Sequence, residues 1–236
     1  MSEVEREFHP NLYSNNPKHY DLFFCGDSWT YGGELDQLNP ELYEYRRENR
    51  FSNIVSKKLN KTHYTIARGG VGNDWIVQHT VDWIEKGNSC DIAVIQFTAN
   101  SRISFFYKKE YYSTQLIEIE KEIPEILTDD YNAYQNYKKN LFFIDLYLKS
   151  KNIKPIYLTI QERQKFNRSK HKFWESYCKD IRVQNLCHIM DFDKKNNYIK
   201  PQLSINKTLN GGHPSVKGHI EIADYLINTI KSLGYL

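Results

Sequence analysis

Tyr20-Asp21-Leu22-Phe23-Phe24-Cys25-Gly26-Asp27-Ser28-Trp29-Thr30-Tyr31-Gly32 is the stretch from which the rest of the chain can be read. The apolar run from Leu22 to Cys25 stops abruptly at Gly26, Asp27 and Ser28, as when a buried parallel strand delivers a polar loop to its C-terminal edge. Open α/β sheets bind ligands at that edge. A serine placed there, just before a helix start, has its hydroxyl near backbone N–H groups not yet committed to helix bonds, which suits a nucleophile. The plainer reading of Ser28 is a turn residue or an N-cap.

Working outward, strands alternate with helices. Residues 48–59 place Phe51, Ile54, Val55 and Leu59 at helical spacing. Residues 63–67 form a short strand ending at Arg68-Gly69-Gly70-Val71-Gly72-Asn73-Asp74, which turns into a helix with Trp75, Ile76, Val77, Val81, Trp83 and Ile84 on its apolar face. That glycine-rich loop has neither G-x-G-x-x-G nor a Walker lysine, so a phosphate-binding reading is weak. Residues 91–98 are the clearest central strand. Residues 103–130, rich in Tyr, Phe, Lys and Glu, read as an insertion over the sheet edge, a substrate cover, an interface or ordinary packing. A helix over 131–149, a strand over 154–160, a helix over 171–181, a strand over 187–192, a polar loop over 193–212 and a closing helix over 215–233 complete the pattern. The expectation is an α/β fold: a three-layer α/β/α sandwich with a central, mostly parallel five-stranded sheet. Residues 1–18 read as an arm and 19–236 as a single domain.

Bulk properties bound the function. The 236 residues carry 32 basic and 29 acidic side chains, a balance that argues against nucleic acid or an anionic membrane as the main partner. No apolar run reaches the length of a membrane span, and the acidic, polar Met1-Ser2-Glu3-Val4-Glu5-Arg6-Glu7 has no signal-peptide character, so a soluble, cytoplasmic protein is expected. The abundance of Lys, Asn, Ile and Tyr hints at an AT-rich coding sequence, as in some phages, viruses and bacteria, and leaves association with a virus particle open. Cys25, Cys90, Cys178 and Cys187 lack a CxxC spacing and read as reduced thiols, with no metal site. Oligomeric state is not legible in the sequence.

Ser28, Gly70 and Asn100 stand at three successive strand ends, and Asn210-Gly211-Gly212-His213-Pro214 precedes the last helix. In that order the blocks resemble the SGNH/GDSL hydrolase superfamily from about Tyr20 to Leu233. Gly26-Asp27-Ser28 matches the nucleophile block in full. Gly70 matches the second block's glycine, with Gly69 or Gly72 as register alternatives. Thr98-Ala99-Asn100-Ser101 keeps the asparagine of GxND, with Thr98 for glycine and Ser101 for aspartate. The late DxxH block reads Asn210-Gly211-Gly212-His213, with Asn210 in the aspartate's place.

The resemblance implies a serine esterase in which Ser28 attacks, His213 acts as base and then acid, and Asn210 orients His213. The amides of Ser28 and Gly70 and the Asn100 side chain would form the oxyanion hole. An amide can orient His213 but cannot balance imidazolium charge, so a backbone carbonyl, Asp191 or Asp193 is an alternative partner. Asp27 is expected to shape the turn. The substrate implied is a small acyl ester on a carbohydrate or similar polar scaffold, with no cofactor. Transfer to an acceptor other than water and a catalytically silent binding module are the rival readings.

Overall fold

The computed structural model describes residues 17–35, 43–98, 102–107, 110–115, 130–159, 186–188 and 213–236. Along the chain its elements are β1 (His19–Gly26), α1 (Ser28–Tyr31), α2 (Tyr43–Asn49), α3 (Phe51–Leu59), β2 (His63–Ala67), α4 (Asn73–Glu85) and β3 (Ser89–Phe97). They continue as β4 (Arg102–Tyr107), β5 (Glu110–Gln115), α5 (Asp130–Ser150), β6 (Lys154–Thr159), β7 (Leu186–His188) and α6 (Val216–Ser232).

The apolar strands pair in parallel. β1 lies between β2 and β3, with Phe24 opposite both Thr65 and Val94. β3 then pairs with β6, Val94 opposite Ile156. Because a strand sends successive side chains to opposite faces, the run Leu22 to Cys25 supplies two cores at once. Phe23 and Cys25 face α4 and α5, where they pack with Trp75, Trp83, Leu141 and Ile144. Leu22 and Phe24 face α3 and α6, where they meet Phe51, Val55, Ile222 and Leu226. Burial on both faces is why these strands read as continuous hydrophobic runs, and it makes the three-layer α/β/α sandwich expected.

Four strands make the body of the sheet, and Leu186–His188 pairs in parallel along the β6 edge. Of the strand expected over 187–192, only 187 and 188 are described. The expected helix over 171–181 and loop over 193–212 lie outside the described residues. The helix expected over 48–59 is divided: Arg50 is extended (φ −76°, ψ 147°), and a new helix starts at Phe51. The Phe51 N–H donates to His219 Nδ1 of α6 at 3.3 Å, a tertiary bond that the helical period of 48–59 could not reveal. Burial first, and then the charges of His213 and Arg50, push His219 down to about 3, so the ring is neutral and can accept that bond. Within the expected insertion, β4 and β5 form an antiparallel hairpin with Phe105 opposite Tyr112, a local structure suited to its aromatic-rich sequence.

Trp83 is fully buried, stacked on Phe23 at 4.3 Å and on Tyr64 at 5.7 Å between ring centroids. Trp83→Ala should cost about 3–5 kcal/mol in urea unfolding. Asp21 accepts from Thr62 N and Oγ1, each at 2.7 Å, and from Lys61 Nζ at 2.9 Å, tying the start of β1 to that of β2. Those bonds, Thr62's side chain foremost, lower the Asp21 carboxyl from 3.8 to about 2. A carboxylate depressed on folding stabilises the protein above its unfolded pKa and ceases to do so as pH falls through the folded value. Asp21→Asn should therefore melt below wild type at pH 7, and the two melting temperatures should converge between pH 4 and pH 2.

Candidate active site

The site is built where β1 ends. A Cβ at Gly26 would lie 2.2 Å from Thr30 Oγ1 and 2.7 Å from Gln96 Oε1, so only glycine lets the chain turn this close to β3. Asp27 follows as the N-cap of α1: its Oδ1 accepts from the Trp29 N–H at 2.9 Å, and its own N–H donates to Gln96 Oε1 at 3.1 Å. Asp27 is completely buried, and its second carboxylate oxygen lies 3.1 Å from Arg102 Nη1 at the start of β4. Asp27 thus shapes the turn, as its place beside the serine suggested.

Ser28 is the first residue of α1 and is buried. Gly32, at φ +82°, ends the helix, and the Gly33 N–H returns to the Ser28 carbonyl at 2.7 Å. A Cβ at Gly33 would stand 3.2 Å from that carbonyl oxygen and 3.1 and 3.3 Å from His213 Cδ2 and Nε2. The imidazole therefore lies directly on Gly33, alongside the backbone of Ser28. Sequence positions 28 and 213 are brought together in space.

The second loop comes from the end of β2. A Cβ at Gly69 would be 3.8 Å from Ser28 Cβ, whereas one at Gly70 (φ +77°) would meet nothing within 4 Å among the described residues. Of the three register alternatives, Gly69 is against Ser28, Gly70 has no described neighbour at its Cβ position, and Gly72 faces the hairpin. The Gly72 N–H donates to Ser104 Oγ at 2.9 Å. Asn73 brackets the end of β3: Oδ1 accepts from Thr98 N at 2.9 Å and Nδ2 donates to Thr98 O at 3.2 Å. This bracket holds the root of the segment that carries Asn100. Asn100 and Asn210 themselves lie outside the described residues.

The carboxylate beside the histidine is one that sequence reasoning missed. Glu34 Oε1 is 3.1 Å from His213 Nδ1, with both side chains 17% exposed. Nδ1 forms no aligned hydrogen bond there, so the contact is a close, off-axis approach of a carboxylate oxygen to a ring nitrogen. Nothing in the spacing Gly32-Gly33-Glu34 announces this partner. Gln96 and Arg102 were also passed over, although a polar Gln96 interrupting an apolar central strand was a usable signal. Among the described residues no group of three or more His, Cys, Asp or Glu is placed to hold a metal.

No family model and no curated protein matches the chain. Solved structures do. A protein described as lipolytic and of the G-D-S-L family, from Desulfitobacterium hafniense DCB-2, superposes with a TM-score of 0.50 at 13% identity, over 90% of this chain and 99% of its own. An acetyl xylan esterase from the rumen bacterium Butyrivibrio proteoclasticus gives 0.52 at 15%, over 94% of this chain and 65% of its own. A family 2 carbohydrate esterase with a carbohydrate-binding domain, from Corynascus thermopiles, gives 0.50 at 12%, over 93% and 67%. The chain spans about two thirds of the length of these two esterases. The fold is that of the SGNH/GDSL hydrolases.

Arg102 is 17% exposed, and its removal would strand the buried Asp27 carboxylate. Arg102→Ala should cost about 3 kcal/mol in equilibrium unfolding, and adding Asp27→Asn should restore part of that loss.

Proposed function

We propose that this protein is a serine esterase that cleaves a small acyl group from a carbohydrate or similar polar scaffold through an acyl-serine intermediate. The observation that carries the reading is the seating of the His213 imidazole on Gly33, alongside Ser28, at the C-terminal edge of a parallel sheet. Acyl transfer needs a hydroxyl next to a base, and donors aimed at the oxygen that becomes charged. Ser28 Oγ attacks the ester carbonyl as His213 Nε2 takes its proton. That proton passes to the leaving alkoxide, and water repeats the cycle to release the acid. The amides of Ser28 and Gly70, with the Asn100 side chain, are the proposed oxyanion donors.

The carbohydrate part of the reading draws on the fold shared with an acetyl xylan esterase and a carbohydrate esterase. It also draws on the hairpin rich in Tyr and Phe that Arg102 and Ser104 tie next to the site. Aromatic rings suit the apolar faces of sugars as well as small acyl groups. The chemistry asks for no metal or organic cofactor.

A fluorophosphonate probe should label the wild type at Ser28 and leave Ser28→Ala unlabelled. Turnover of short acyl esters should fall by at least about 10³-fold in Ser28→Ala and His213→Ala. A folded wild type that neither labels nor hydrolyses acetylated sugars would sink the esterase reading in favour of a binding module.

A further inference from the structure

Glu34 combines two features that are each unfavourable alone. Its backbone is left-handed at φ +68°, a conformation that L-residues other than Asn and Asp seldom adopt. Its carboxylate is mostly buried, and Oε2 has no hydrogen-bond partner among the described residues. Burying a charged group is unfavourable unless an opposite charge answers it. The group its other oxygen approaches, at 3.1 Å, is Nδ1 of His213. Backbone outliers of this kind concentrate where function over-determines the local geometry.

We propose that Glu34, in place of the Asn210 suggested by block order, is the positioning acid for His213. The inference rests on the esterase reading above. The turn from Ser28 to Glu34 then supplies the nucleophile, the glycine surface on which the imidazole lies and the carboxylate behind it. With Oε1 at Nδ1, the ring keeps its proton on that nitrogen and turns a basic Nε2 toward the Ser28 side. As the Oγ–carbon bond forms, the serine proton moves to Nε2 and the ring becomes cationic. Glu34 stays ionised throughout and balances that charge until Nε2 gives its proton to the leaving alkoxide as the carbon–oxygen bond breaks. For Glu34 to act in this way, the present off-axis approach has to become an aligned, charge-assisted bond as the ring takes up the serine proton. An amide such as that of Asn210 could orient the ring but would leave its charge unbalanced.

The test uses the full chain with p-nitrophenyl acetate and a fluorophosphonate. Glu34→Gln should lower kcat by about 10²–10⁴-fold with KM changed little, and slow probe labelling in parallel. Glu34→Gly relieves the left-handed backbone, so it should fold at least as stably while being equally slow. Added formate should restore its turnover but do nothing for wild type or Ser28→Ala, a recovery that a merely structural role would not produce. Glu34→Asp should fall between, and Asn210→Ala should stay within about threefold of wild type, the span of a minor contact. Glu34→Gln and Glu34→Gly turning over like wild type in an enzyme whose Ser28 labels would overturn the assignment and leave the esterase reading standing. If wild type neither labels nor turns over, the esterase reading fails and proton NMR decides the pairing. A downfield imidazole proton, assigned by its loss in His213→Asn, should vanish in Glu34→Gln; its persistence there would overturn the pairing.

Discussion

The side-chain oxygen of Gln96 holds the turn that carries Ser28 to the sheet. It accepts the Asp27 N–H at 3.1 Å, the Thr30 N–H at 3.3 Å and the Thr30 hydroxyl at 2.8 Å, while Nε2 donates to the Phe97 carbonyl at 3.1 Å. The amide is fully buried, where an unsatisfied polar group would be costly, so its bonds are directional constraints. Since β1 and β3 are adjacent and parallel, an amide near the end of β3 reaches the residues just past the end of β1. Gly26 has to be glycine for that approach. With both ends of the turn anchored on one oxygen, the start of α1 has one orientation and Ser28 one place.

His213 is positioned by a separate chain of contacts. It precedes α6, whose N-cap Ser215 accepts from the Gly218 N–H at 3.2 Å. The helix is in turn pinned to α3 by the neutral ring of His219, which accepts from the Phe51 N–H and stacks on the Phe51 ring at 5.8 Å. The apolar face of α6, Ile222, Leu226 and Ile230, closes the second core. The rigid packing of one face of the sandwich thus delivers a histidine to the edge at which the other anchor holds the serine. Functional groups at the tips of elements, backed by dense cores, are a common division of labour between scaffold and loop.

The hairpin β4–β5 enters the same network from outside the main sheet. Arg102 bonds the carboxylate that caps α1, and Ser104 accepts from the amide of Gly72 in the loop after β2. Both contacts fall on backbone turns flanking Ser28. The hairpin is therefore part of how the site is assembled. Its aromatic richness is what suggested an insertion over 103–130, but the residues by which it grips the site, Arg102 and Ser104, are ordinary polar residues with no local signature.

The strands β1, β3 and β6 were legible because each is an apolar run buried on both faces, and the helices α4, α5 and α6 because their apolar positions recur at helical spacing. Ser28 stood out because it follows the abrupt end of such a run, and His213 because its block, Asn210-Gly211-Gly212-His213, falls in the order of the family that the chain resembles. Those properties belong to neighbouring residues, and the amino-acid sequence by itself determined them. The break at Arg50, the Gln96 anchor, the Asp27–Arg102 pair and the approach of Glu34 to His213 are contacts between residues distant in the chain. Periodicity carries no record of them, because a side chain's partner is set by which elements pack together and by the few directions its own backbone allows. At Glu34 a left-handed backbone aims a carboxylate at a ring that arrives from the far end of the chain, and only the tertiary structure decided that meeting.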